Sequence, residues 1–165
     1  MSELLHGLPP VVAATTRLLV LGSFPGVASL KAGQYYAHPR NQFWPILSAL
    51  WNVDLKALPY AERLQHMLAR GLGLWDVYAS CQREGSLDSA IVQPQINDLA
   101  GLRQRSPQLQ AVAHNGAESA RAMRHTLLLN LAAYKLPSTS PANASWSLDR
   151  KLAAWRHVFE KHHIA

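Results

Sequence analysis

The chain has 165 residues, a length that suits one domain with one substantial core. Hydrophobic residues make up 48% and charged residues only 16%, which excludes a disordered chain. The net charge of +6 favours a polyanionic partner such as nucleic acid; no run of five like charges occurs, so any anion-binding face must be assembled by folding.

No apolar run approaches the roughly 18 residues of a membrane span, so no membrane association is expected. The start, MSELLHGLPPVVAATTR, lacks a basic opening and a long apolar block, and no signal peptide is read there. Cys81 is the one cysteine, which excludes an internal disulfide and a cysteine-based zinc or iron–sulfur site. It is expected to be a small buried hydrophobe in a reducing compartment, the cytoplasm. One domain over 1–165 and a monomer are expected.

Residues 1–15 read as a loosely structured lead-in that packs Leu4, Leu5 and Leu8. TRLLVLG (16–22) is a short continuous apolar run closed by glycine, the pattern of a central parallel strand. A long connection follows. Phe43, Ile46, Leu47, Leu50 and Trp51 then repeat at helical spacing, with Pro45 tolerable only in the first turn. A second helix spans 60–70, with Leu64, Met67 and Leu68 on one face. LGLWDVY (72–78) is a second strand, and SCQREGSLDSAI (80–91) a polar loop. A helix is predicted over 96–105 through Ile96, Leu99 and Leu102. A strand over 109–114 leads through Asn115-Gly116 into a helix over 117–131, with Ala120, Met123, Leu127 and Leu131 inward. AAYKL (132–136) is a fourth strand, and PSTSPANASW (137–146) a second unusual loop. The last helix runs from about 148 to 162 on a stripe of Leu148, Leu152, Trp155 and Phe159.

Strands alternating with helices predict an α/β fold: a three-layer α/β/α arrangement around a central, mostly parallel four-stranded sheet. In such sheets ligands bind beyond the C-terminal ends of the strands. Loops 22–44 and 137–146 both leave predicted strands in that direction, so they should meet at one site.

The first loop is GSFPGVASLKAGQYYAHPRNQFW (22–44). Gly22 and Gly26 bracket Ser23-Phe24-Pro25, and exposed N–H groups there can form an anion- or water-binding nest or an ordinary turn. No Gly-Lys-Ser/Thr and no Gly-x-Gly-x-x-Gly is present, which excludes the common phosphate and dinucleotide loops. Tyr35 and Tyr36 either stack a nucleobase or close the core. Asn41 either caps the following helix or holds a water or a base edge. An amide has no usable pKa near neutrality, so a catalytic Asn41 would act by positioning water. No His-x-x-x-His pair with a supporting acid occurs, and no metal site and no cofactor are expected.

GSFPG (22–26) and YAHPRNQFW (36–44) together resemble the first motif of the uracil-DNA glycosylase superfamily, and LPSTSPANAS (136–145) resembles its Pro-Ser loop. The resemblance covers nearly the whole chain. The mismatch-specific branch carries a water-positioning Asn where this chain has Phe24, and phenylalanine cannot orient water. The combined pattern is instead similar to the hypoxanthine-DNA glycosylase family, in which the helix-proximal Asn is catalytic. Here that residue is Asn41. The resemblance implies a monofunctional hydrolase that flips a deaminated purine out of DNA and cuts its N-glycosidic bond, with uracil a poor substrate. On this reading Tyr36 stacks on the flipped base and Phe24 covers its other side. Ser23 and nearby N–H groups stabilise the leaving base. Asp76 stands roughly where superfamily members place a base-reading residue, and its carboxylate would accept from a ring N–H. The loop built from Ser138, Ser140, Pro141, Ala142, Asn143 and Ser145 is the groove-side wedge and phosphate clamp, with Ser147 as a helix cap beside it. Arg40 is a further candidate for phosphate contact. The expected partner is DNA containing deaminated bases. The rival readings are a mismatch-type uracil/thymine glycosylase on the same fold and a non-catalytic module that only binds lesions.

Overall fold

The computed structural model describes residues 3–165. In chain order, a short strand β1 (Leu4–His6) precedes β2 (Leu18–Gly22), whose five residues are all buried, as their unbroken apolar run requires. Helix α1 (Val27–Ala32) lies inside the first long loop. Helix α2 (Phe43–Trp51) carries Pro45 in its first turn, where no intrahelical N–H bond is needed, and it ends on Asn52 in the left-handed conformation. Helix α3 (Tyr60–Ala69) leads into β3 (Leu72–Asp76), then β4 (Tyr78–Gln82) and β5 (Val92–Ile96). After α4 (Leu102–Arg105) come β6 (Ala111–Asn115), α5 (Ala117–Ala120), α6 (Met123–Leu127), β7 (Ala132–Leu136) and α7 (Leu148–Lys161). Ser147 caps α7, its Oγ accepting from Arg150 N at 3.2 Å.

The central sheet has the order β3-β2-β6-β7 and every pairing in it is parallel. Its two faces carry separate cores. Leu18 and Val20 of β2 point into a core with Phe43, Ile46 and Leu47 of α2, Met67 of α3, and Trp155 and Phe159 of α7. Leu19 and Leu21 point the other way, onto Val77, Tyr78, Cys81, Leu99, Leu102 and Ala122. The period-2 alternation of one strand thus separates the two helical layers.

The local structure departs from the sequence reading in several places. A second sheet, antiparallel with the order β1-β4-β5, occupies segments read as lead-in and loop. Leu4 is exposed, while Leu5 and Leu8 pack on the cores as expected, joined by Val11 and Val12. The strand read over 72–78 is two strands. Val77 N bonds back to Gly22 O and Tyr78 N to Ser23 O, so the chain leaves the parallel sheet at Asp76 and turns into the other. Ile96 ends β5 instead of starting a helix, because Asn97 N binds Val77 O and Asn97 Nδ2 donates to Asp76 O at 2.8 Å. Helix 117–131 breaks in two at Ala122. Buried His114 touches Ser119 Oγ at 2.9 Å and Thr126 Oγ1 at 3.0 Å, pinning a residue on each side of the break. Leu127 and Leu148, expected inward, are exposed, since α6 ends at Leu127 and Leu148 opens α7. Cys81 is fully buried.

Candidate active site

The C-terminal ends of the four parallel strands lie in a row. Gly22 is opposite Asp76, and Asn115 is opposite Leu136. The two long loops rise from this edge and meet there. Gln42 N donates to Thr139 O at 2.9 Å. Asn115 Nδ2 donates to Thr139 Oγ1 at 3.0 Å, and Thr139 N donates to Asn115 Oδ1 at 3.0 Å. Lys151 Nζ of α7 donates to Gln42 Oε1 at 2.7 Å.

Asn41 sits half-buried at the entry to α2. Its Oδ1 accepts from Phe43 N at 2.9 Å, which fixes which end of the amide is oxygen. That bond occupies one of two lone pairs and leaves the other for a water. Among the described residues nothing accepts from its Nδ2. His38 O accepts from Asn41 N at 3.0 Å, and His38 Nδ1 accepts from Arg40 N at 3.1 Å, so this turn is self-supporting. The Arg40 side chain is exposed.

Tyr36 has φ +55°, a left-handed conformation that the surrounding contacts must hold in place. Its ring stacks on Phe43 at 4.2 Å and 25°, and its Oη accepts from Asn115 Nδ2 at 3.1 Å. Burial first, then the nearby Asp76 carboxylate, hold the phenol well above its usual pKa. Tyr35 turns into the core instead, with its Oη donating to Pro9 O at 2.7 Å.

Asp76 is 4% exposed, and its Oδ2 has no hydrogen-bond partner. Burial, reinforced by Asp88 and opposed by Arg83, pushes its carboxyl up to about 7. Opposite it, Gly22 leaves no room for a side chain while Asp76 holds its place: a Cβ there would collide with Asp76 Oδ1 and stand 3.2 Å from Tyr36 Oη. The glycine therefore brings a carboxyl and a phenol to one small polar recess.

The segment after β4 latches onto the first loop. Ser23 Oγ donates to Asp88 Oδ1 at 2.6 Å, and Ser86 Oγ accepts from Val27 N at 2.9 Å, at the first residue of α1. Arg83 donates through Nε to Gly85 O at 2.8 Å and through Nη2 to Pro25 O at 2.7 Å, and its buried Nη1 has no partner. Its guanidinium lies 5.3 Å over the Phe24 ring. Phe24 is 6% exposed and belongs to the core on the Leu19 and Leu21 face, while Tyr36 packs on the other core.

In the second loop the polar groups shape the loop itself. Ser138 Oγ accepts from Ser140 N at 3.1 Å, and Ser140 Oγ accepts from Ala142 N at 3.2 Å. Asn143 Nδ2 donates to Ser138 O at 3.2 Å, and Ser145 Oγ donates to Asn143 Oδ1 at 3.2 Å. Pro141 and Ala142 are left exposed at the tip. Thr139, Lys151 and Asp88 bond into this candidate site, and the sequence reading did not single them out. Lys151 had a legible signal: it precedes Trp155 and Phe159 by four and eight residues, a charge on an apolar stripe. Among the described residues no cluster of three or more His, Cys, Asp or Glu could hold a metal ion.

The family model of the uracil DNA glycosylase superfamily matches residues 9–159. The chain belongs to the uracil DNA glycosylase superfamily. Proteins named hypoxanthine DNA glycosylase from Methanosarcina barkeri and Methanosarcina acetivorans are similar over almost their full length. The first is 35% identical over 94% of this chain and 98% of the relative, the second 36% over 93% and 97%. A solution NMR structure of a Methanosarcina acetivorans protein, described as a candidate uracil DNA glycosylase, superposes with a TM-score of 0.87 at 33% identity, covering 96% of this chain and 98% of that one. This glycosylase therefore carries the superfamily's α/β scaffold, with the edge bearing Gly22, Asp76 and Asn115 at its centre.

Proposed function

We propose that this glycosylase removes hypoxanthine from DNA, taking the nucleotide out of the stack and hydrolysing its N-glycosidic bond with a water held by Asn41. The observation that carries the reading is the fixed amide of Asn41, its oxygen oriented by Phe43 N–H at the junction of the two loops. The names of the two curated relatives support the choice of base.

Base release passes through a sugar with oxocarbenium character and a base gathering negative charge. Asn41 places the water against the sugar C1′. Tyr36, held on Phe43, offers its outer face to the everted base. Asp76 accepts from the ring N–H that hypoxanthine has and adenine lacks, and its unpartnered Oδ2 is the oxygen suited to this. The Ser23 hydroxyl, read from sequence as a donor to the leaving base, is spent on Asp88, so the charge of that base falls to nearby backbone N–H groups. Phe24, its ring beneath the Arg83 guanidinium, covers the other side of the base. Pro141 and Ala142 form the wedge, with Ser138, Ser140, Asn143 and Ser145 holding its shape, and Arg40 meets a phosphate.

Duplexes bearing hypoxanthine, uracil or xanthine, incubated with native protein and Asn41→Ala, test this. Native protein is expected to release hypoxanthine fastest, and the variant to be slower by about 10²–10⁴-fold. Uracil released faster than hypoxanthine would point to the mismatch-type activity. Binding without release by native protein would leave only a lesion-binding module.

A further inference from the structure

Lys151 is 2% exposed, yet its ammonium has a single polar contact, the 2.7 Å bond to Gln42 Oε1. No carboxylate stands within ion-pair distance of it; among the described residues the one close ion pair is Arg121 with Glu118. Burial alone pulls its pKa down. An ammonium brings three donors and a full charge, and a buried charge without a counter-charge is destabilising. Methionine or leucine would fill the same place on the stripe above Trp155 without that cost.

The location suggests what the charge is for. Gln42 follows Asn41 directly, and its N–H bonds the second loop at Thr139 O. One turn further along α7, Trp155 Nε1 donates to Pro137 O at 3.0 Å. The ammonium thus lies beneath the joint of the two loops, on the same sheet edge as Asn41. Helix α7 begins beside it at Ser147 and adds its own positive end.

We propose that Lys151 supplies the counter-charge for one phosphodiester of the substrate, the one entering between the loops next to Asn41. The proposal rests on reading the two loops as the DNA face. The interaction is a charge-assisted hydrogen bond from Nζ to a phosphate oxygen, with no covalent step. Gln42 keeps the long side chain aimed while no DNA is bound.

The test is the salt dependence of binding to a duplex carrying a 2′-fluorinated hypoxanthine nucleotide that resists cleavage, for native protein, Lys151→Met and Lys151→Arg. Lys151→Met is expected to bind more weakly, with the slope of log affinity against log salt shallower by about 0.9. The native advantage then shrinks about 3.5-fold for each fourfold rise in salt. Lys151→Arg keeps the native slope. The Lys151→Met protein melts at the native temperature or above it, since a buried charge has been removed. Single methylphosphonate replacements along the DNA give an independent readout that needs no variant to fold. One position should weaken native binding, and the same position should leave Lys151→Met unaffected. An unchanged slope in Lys151→Met, or methylphosphonate losses that are the same in native protein and Lys151→Met at every position, overturns the proposal and makes Lys151 a peg for Gln42. Native protein with no salt-dependent binding to DNA would remove the DNA-face reading itself, a result visible before any variant is compared.

Discussion

Asn115 and Thr139 bond to each other twice, side-chain amide to hydroxyl and backbone N–H to amide oxygen, each at 3.0 Å. Both residues are buried, so neither bond is easily replaced by water. Asn115→Ala strands the Thr139 N–H and hydroxyl and removes the donor to Tyr36 Oη. It is expected to lower stability by about 2–3 kcal/mol in urea denaturation. Thr139→Val keeps the backbone bond and should cost about 1 kcal/mol. Equal losses in the two variants would mean that the backbone bond contributes little.

Stability against pH should be flatter than either buried group alone would allow. Asp76 has its pKa raised to about 7, so its contribution is full below about pH 4 and is lost as pH rises towards 7. Burial lowers His114 to about 4, so its contribution is full above about 6.5 and is lost as pH falls towards 4. The two slopes oppose each other across much the same window, on the order of 4 kcal/mol for Asp76 and 3 kcal/mol for His114. Melting temperatures from pH 4 to 8 should fall with acid in Asp76→Asn and fall with base in His114→Gln. Parallel profiles in both variants and native protein would rule out these titrations.

Gly22→Ala tests the closeness of the recess. The added methyl collides with Asp76 Oδ1 and crowds Tyr36 Oη, so either the carboxyl or the tyrosine must move. A loss of about 1–3 kcal/mol is expected, together with loss of base release. Full activity in this variant would show that Asp76 and Tyr36 can separate without consequence.

Cys81 is fully buried, and burial pushes its thiol up. A thiol-reactive dye should label native protein only at the rate at which it opens, and label it at once in denaturant. Rapid labelling of native protein would contradict this placement of β4.

The parallel sheet was legible because β2 is a continuous apolar run closed by glycine and because strands and helices alternate along the chain. The two loops were legible because their prolines, and the glycines of the first, break strand and helix patterns, although the first also holds the short helix α1. The second sheet was not. Every residue of β5 is exposed, Pro94 interrupts it and Gln93 has φ +51°, so no apolar alternation marks it as a strand. The pairings within the site were equally silent, even where a residue such as Lys151 stood out by itself. Ser23 and Asp88 are 65 residues apart, and Lys151 and Gln42 are 109 apart. A pairing at such separation is decided by topology, and local sequence carries no trace of it.

The stacking of Tyr36 on Phe43 has a consequence for recognition. One face of the tyrosine is covered from the moment of folding, and its hydroxyl is tethered as well. The ring therefore cannot swivel to follow an arriving partner. If a base stacks on the other side, as proposed, it must come to the ring already aligned, so the discipline of fit falls on the visitor.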